Sequence, residues 1–277
     1  MWSRLSIAAL VALSVNAVTV SAHEFWIEPE HYQVAVQEEI RARFRNGENF
    51  KGVGLPFFDR RSTLFDRVLG DERADAGARS GDNPAFAWTS PEDGLLVIAH
   101  ETTSSTVSYK TWEKFAAFAD HKGFPDIRAR HEARGLPMDG FTESYTRHVK
   151  ALVAVGTGAG QDRALGLATE FVALANPYTD SLAPGDGTGS AGSLPVLLLY
   201  QGAPRADAQI EIFERLRDDT VTISTTRTDA RGQALIPLRH GAEYLLDAVV
   251  LRPAPDGGKP VWETLWAGLT FRAPDAP

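Results

Sequence analysis

The feature that most limits the fold of this chain is the rhythm of its last third, where short alternating segments are separated by turn residues at nearly even intervals. Residues 194–200, 208–213, 222–228, 234–238, 244–251 and 262–271 each read as strand, with turns at Gly202-Ala203-Pro204, Asp229-Ala230-Arg231-Gly232 and His240-Gly241 between them. Period-two alternation gives each strand one face for a core and one for water, and segments this short are stable only when several pair. Six such segments at this spacing predict an Ig-like antiparallel β-sandwich over residues 194–277.

The preceding part of the chain carries the same signal with one interruption. Residues 25–29, 32–36 and 40–44 alternate as strands, residues 66–83 read as loop and hairpin, and residues 95–99 after Asp93-Gly94 form a continuous apolar strand. The period then changes: Trp112, Phe115, Ala116, Phe118 and Ala119 recur at helical spacing, and Pro125 opens a second, polar helix that Gly135 ends. Strand character returns at 145–155 and 169–175, before a stretch rich in glycine, proline, serine and aspartate at 176–193. The expectation is a mainly β protein of two Ig-like antiparallel sandwich domains, 23–175 and 194–277, joined by a linker at 176–193. The first carries a helical hairpin inserted at about 109–135.

Residues 1–22 read as a secretory leader. Arg4 supplies the basic start, residues 5–20 are apolar without a charge, and Val20-Ser21-Ala22 places small side chains where signal peptidase cuts. The mature chain would begin at His23 and be periplasmic or secreted, and no later segment is long and apolar enough to span a bilayer. The absence of cysteine excludes disulfides, thiolate zinc sites and a cysteine nucleophile. Cleavage would take Lys+Arg from 28 to 27 against 36 Asp+Glu, moving the formal charge from -8 to -9. That balance argues against nucleic acid and anionic lipid as partners.

A histidine at a mature N-terminus offers a metal its α-amine and its ring Nδ1 in one chelate, and a second imidazole completes a three-nitrogen set. The α-amine loses its proton near neutral pH, and nitrogen donors in tetragonal arrangement suit copper and nickel. His100 ends the apolar strand at 95–99, His131 lies one turn beyond Ile127 on the second helix, and His148 sits in a strand leading to the core. With His23 these are the candidate metal ligands; His31, His121 and His240 sit in polar contexts that suit solvated side chains. Glu24, Glu28 and Glu143 are possible carboxylate ligands or ring-orienting partners, with exposed surface charge as the plainer alternative. Phe25, Trp26, Trp112, Phe115 and Phe118 read mainly as core, and Trp262 with Trp266 as a sandwich edge or domain interface. Gly156–Gly160 lacks the lysine and helix of a phosphate loop, and neither a nucleophile elbow nor HExxH occurs.

The start HEFWIEP, the segment EKFAAFADHKGFPDIRARHEARGLP, the strand ESYTRHVKALVAVG, the phrase TEFVALANPY and the ending WETLWAGLTF together resemble the exported family grouped as domain of unknown function 4198. Residues 202–213 followed by TDARGQALIPL are also similar to transthyretin-like or carboxypeptidase-regulatory sandwiches. The first resemblance implies a periplasmic component or accessory of nickel or cobalt uptake; with the nitrogen donor set, which suits copper and nickel, the expected ligand is a transition-metal ion (Cu, Ni or Co) and no enzymatic activity is expected. The partner it implies is a membrane or TonB-type metal transporter. Many relatives carry a histidine in the strand matching 246–251, where this chain reads LDAVVL, so any ligand set here is not simply theirs. Two other readings stay open: a non-catalytic binding or scaffold module, and a histidine-brace copper oxidase or oxygenase.

Overall fold

The structure is a computed structural model that describes residues 23–182 and 189–276. The expected leader at 1–22 and part of the expected linker therefore lie outside the described residues.

The first half contains strands Glu24–Pro29 (β1), Gln33–Val34 (β2), Glu39–Glu48 (β3), Lys51–Leu55 (β4), Ser62–Leu69 (β5), Glu72–Asp75 (β6), Phe86–Thr89 (β7), Gly94–Thr102 (β8) and Ser105–Tyr109 (β9). Helices Trp112–His121 (α1) and Ile127–Ala133 (α2) follow, then strands Phe141–Val155 (β10) and Thr169–Ala173 (β11). The second half is Ser190–Tyr200 (β12), Ala203–Pro204 (β13), Gln209–Arg215 (β14), Val221–Arg227 (β15), Gln233–Arg239 (β16), Glu243–Pro253 (β17) and Trp262–Arg272 (β18). The molecule is mainly β with Ig-like layering, and the helical pair sits between β9 and β10 as expected.

The two halves share one sheet. A ten-stranded sheet has the path β15-β14-β17-β18-β10-β8-β5-β6, with β2 and β9 also paired to β10. Its middle joint is parallel: Glu143 pairs with Trp262 and the register runs to Ala151 with Thr270. The expected break at 176–193 is therefore no end to the sheet, and β12 already begins at Ser190, inside the stretch expected to be linker. Antiparallel alternation within each half predicts local hairpins, whereas a parallel pair between residues more than a hundred positions apart leaves no local trace.

Three layers follow from the alternation of β8, β10 and β18. One face of the large sheet, bearing Val97, Leu152, Leu246 and Leu269, packs on Phe171, Leu194, Val196 and Ile236 of the β11–β12–β16 sheet. The other face, bearing Ile98, Ala151 and Val153, packs on Ile27, Ile40 and Phe44 of the β1–β3–β4–β7 sheet. Strands covered on both sides must be apolar on both sides, and the runs LLVIA in β8 and ALVAV in β10 are. Where the small sheet stops, the helical hairpin takes over, setting Phe115, Phe118 and Ile127 against Trp262, Trp266 and Val249. Helix α1 buries Trp112, Phe115, Phe118 and Ala119, one stripe of a helix. Its first amide is capped from a distance, Trp112 N–H donating to Asp139 Oδ1 at 3.0 Å.

Strand β1 is held in place by the large sheet beneath it. Thr270 Oγ1 donates to the Ile27 carbonyl at 2.6 Å, and at Gly268 an added Cβ would lie 3.0 Å from Val149 Cγ1 and 3.6 Å from the Phe25 carbonyl oxygen. Trp26 is fully buried with Phe50, Phe213 and Leu245, a cluster joining the first sheet to β14 and β17. Each such side chain contributes about 1.5–3 kcal/mol by leaving water. The position of the chain at His23 is thus set by the core beneath β1.

Candidate functional site

A cleft of about 580 Å³ opens where β1, β3, β9 and β10 meet. His23 lies at it, with Phe25 and Phe44 beside it; His100, Tyr109 and Glu143 line it, as do Tyr145, Arg147 and Trp266. On β10 the residues come from one face in strict order: Glu143, Tyr145 and Arg147 line the cleft, and Val149, Ala151 and Val153 continue the same face into the core. The switch from polar to apolar on one strand face marks the point where the covering sheet ends. That signal was legible in ESYTRHVKALVAV, yet its meaning depends on what covers the strand.

His23 is half-exposed, and its Nε2 lies 3.2 Å from Glu48 Oε1. A ring that donates Nε2–H to a carboxylate keeps its lone pair on Nδ1, the nitrogen an N-terminal chelate needs. Arg147 Nη2 donates to the His23 carbonyl at 2.7 Å and pins the backbone at that residue. His100 is 3% exposed and sits among Phe25, Phe44 and Phe65, with the Phe44 ring centroid at 4.3 Å. Its Nδ1 is buried and has no hydrogen-bond partner. Burial alone drives its pKa down to about 3, so the imidazole is neutral, the form that ligates metals.

Glu143 is buried, accepting from Tyr109 OH at 2.9 Å and from Thr264 Oγ1 at 2.5 Å. Burial pushes its pKa up to about 7, against the pull of those two hydroxyls and of Arg147. The reading of Glu24, Glu28 and Glu143 as exposed charge is corrected: all three lie inside the fold, Glu28 partly so, and each is hydrogen-bonded. The linkage for Glu143 has a definite sign. A carboxyl whose folded pKa exceeds its unfolded value of 4.5 contributes stability below about pH 4.5 that is lost as pH rises through about 7. Glu143→Gln is therefore expected to flatten the fall in unfolding free energy between pH 5 and pH 8 by roughly 2 kcal/mol, read from urea titrations. Equal pH slopes for the two proteins would contradict it.

The four candidate histidines separate into two pairs. His23 and His100 share the cleft. His148 follows Arg147 on β10 and so faces the opposite side of the sheet, its Nδ1 3.3 Å from the Trp266 carbonyl and its Nε2 3.5 Å from Glu101 Oε2. Burial outweighs Glu101 and lowers its pKa, keeping it neutral. His131 is fully buried under the helical hairpin, where Trp262 Nε1–H donates to its Nδ1 at 2.9 Å and its Nε2 meets the Pro137 carbonyl at 3.0 Å. With both ring nitrogens engaged, His131 holds the hairpin to β18. Neither it nor His148 belongs to the cleft. Of the histidines expected to be solvated, His121 is exposed and also places Nε2 2.7 Å from the buried Glu211. Hydrogen bonding to Glu211 raises its pKa.

Beside His23, a second charged cluster closes the base of the helical hairpin. Lys122 Nζ, buried at the end of α1, reaches Glu24 at 3.2 Å, Asp247 at 2.9 Å and Glu211. Burial works against the lysine's charge, yet Asp247, Glu211 and Glu24 outweigh it and hold its pKa above the ordinary range. Burial, with Asp247 and Glu211 adding, pushes Glu24 up to about 7 despite Lys122. Four charges from β1, α1, β14 and β17 thus meet at one point, unmarked by any local motif.

Among the described residues no three His, Asp or Glu side chains are gathered to hold a metal ion. An N-terminal chelate with one further imidazole needs only two side chains, because the third donor is the α-amine. The buried, unpartnered Nδ1 of His100 and a His23 ring whose Nε2 faces Glu48, leaving Nδ1 on its other side, suit such a donor set. Fold and cleft together define a mainly β, Ig-like protein with a histidine- and arginine-lined cleft beside its first strand. The chain belongs to the DUF4198 family, described as a domain of unknown function, which matches residues 20–252. No curated protein matches it in sequence. Among solved structures it is similar to the D0-D1 domain of intimin, at 12% identity over 88% of this chain and 96% of that one, with a TM-score of 0.21. It is also similar to a tandem repeat in the extending region of a large adhesion protein, at 9% identity over 91% of this chain and 49% of that one, TM-score 0.22. A third likeness is to Salmonella alpha-2-macroglobulin, at 12% identity over 90% and 15% of the two chains, TM-score 0.20. Overlaps this low carry no functional argument.

Proposed function

We propose that the protein is an exported transition-metal-binding protein, cleaved after Ala22, that captures or delivers Cu, Ni or Co for uptake or homeostasis in the periplasm. The observation that carries this reading is that His23 and His100 line one cleft, with the His23 Nε2 facing Glu48 at 3.2 Å. His23 supplies the amine and Nδ1, and His100 is the nearest source of a second neutral imidazole in the cleft lining. The carboxylate on the far side of the His23 ring would raise ligand basicity, as outer partners of metal-bound histidines do. The partner is a membrane or TonB-type metal transporter that receives or supplies the ion.

Titration of protein whose mature start is verified by mass spectrometry tests the reading. Cu(II), Ni(II) or Co(II) is expected to bind at micromolar concentration or tighter, with Cu(II) tightest by the order of divalent affinities. Binding releases protons, because the α-amine must be neutral to ligate. Absence of micromolar binding by all three ions would overturn it.

A further inference from the structure

The cleft contains a cation that the rest of the protein's design leaves unexplained. Lys122 is paired with three carboxylates, Lys150 with Asp162 at 2.6 Å and Glu170 at 3.8 Å, and Arg215 with Glu28 at 2.9 Å and Glu243 at 2.5 Å; Arg205, away from the cleft, donates Nη2 to the Val249 carbonyl at 2.7 Å and leaves Nη1 without a partner. Arg147 has no carboxylate within salt-bridge distance among the described residues, and its Nε is buried without any hydrogen-bond partner. Its guanidinium carbon lies 4.6 Å from the Tyr145 ring centroid, 5.8 Å from that of Trp266 and 5.9 Å from that of Phe25. The aromatic walls orient the plane of the fork, and only one Nη is used, on the His23 carbonyl.

We infer that the cleft binds a small aromatic carboxylate, its carboxylate taken by the Arg147 guanidinium and its ring lodged among the aromatic side chains of the walls. The charge argues for an anion. In a protein of formal charge -8 the cleft lining holds Arg61 and Arg147 against a single carboxyl, Glu143, which burial drives toward its neutral form near neutral pH. The donor argues for a carboxylate: a planar fork matches it with two parallel hydrogen bonds, and partnering the buried Nε–H, which has no partner among the described residues, recovers its desolvation cost. The walls argue for an aromatic or flat apolar body, since Phe25, Phe44, Phe58, Tyr109, Tyr145 and Trp266 all line a volume of about 580 Å³, within the range of small-molecule sites. This inference goes beyond metal binding and holds with the metal absent.

The test is calorimetric or NMR titration of the mature protein in excess EDTA with benzoate, and with benzamide as its neutral isostere. Benzoate is expected to bind at about 1 mM or tighter and benzamide at least tenfold more weakly. Arg147→Met is expected to lose at least tenfold in benzoate affinity, and Arg147→Lys, which keeps the charge without the fork, to fall between. His23→Ala keeps the backbone carbonyl that Arg147 holds and is expected to retain benzoate binding, which separates this site from failure of the metal reading. Equal affinity for benzoate and benzamide in the unaltered protein would overturn the inference, as would no benzoate binding at about 10 mM.

Discussion

Replacing His23 with alanine in correctly processed protein is expected to weaken Cu(II) or Ni(II) binding by more than about 100-fold. Loss of an outer hydrogen-bond partner of a ligating histidine already costs roughly 10–100-fold, and this change removes a ligand atom itself. Acetylating the α-amine is expected to have the same effect, because the chelate needs the neutral amine as a donor. Glu48→Ala, which frees the ring tautomer without touching a donor, should cost about tenfold, at the low end because the pair is partly solvated. His148→Ala should leave affinity unchanged, since that ring faces the opposite side of β10. Isothermal titration of the three variants and of the acetylated protein checks the set. Equal affinity of His23→Ala and unaltered protein would remove His23 from the site.

Lys122→Met is expected to destabilise the fold by about 3–5 kcal/mol at pH 7, the cost of removing one partner from buried charges. The lysine is the only cation within hydrogen-bond distance of Glu24 and Asp247 among the described residues, and both carboxylates are buried with Glu211. Without it Glu24, whose pKa already stands at about 7, and Asp247, which burial raises, would stay protonated over most of the neutral range. The penalty should therefore shrink at pH 5, where the unfolded carboxyls are still largely ionised and the folded ones are neutral. Urea unfolding of both proteins at pH 5 and pH 7 measures this, and an unchanged midpoint at pH 7 would refute it. Because Glu24 adjoins His23, the same variant should loosen the N-terminus locally and raise its amide exchange.

Much of the architecture was written locally. The alternation in the second half predicts β14 to β18 with bounds shifted by a residue or two, and the helical spacing of Trp112, Phe115 and Phe118 predicts α1 between strands. His23 and His100 were legible as candidates because each stands at a boundary in the sequence pattern: one after the expected cleavage motif Val20-Ser21-Ala22, one where an apolar strand ends. Arg147 was not, since nothing in TRHVK distinguishes a stacked guanidinium from a solvated one. Glu24 and Glu143, read as ligands or exposed charge, could not be placed inside the fold for the same reason; a residue's burial is a property of what packs on it.

Local patterning by itself determined the β class, the helical interruption and the candidate imidazoles, because period and turn chemistry act over a few residues. Only the tertiary structure decided that the two halves share a sheet through the parallel β10–β18 pair, that His131 and His148 point away from the cleft, and that Lys122 gathers carboxylates from three strands. Those outcomes depend on which faces meet, and pairings across a hundred residues or more are set by the burial of complementary surfaces that no short window of sequence contains.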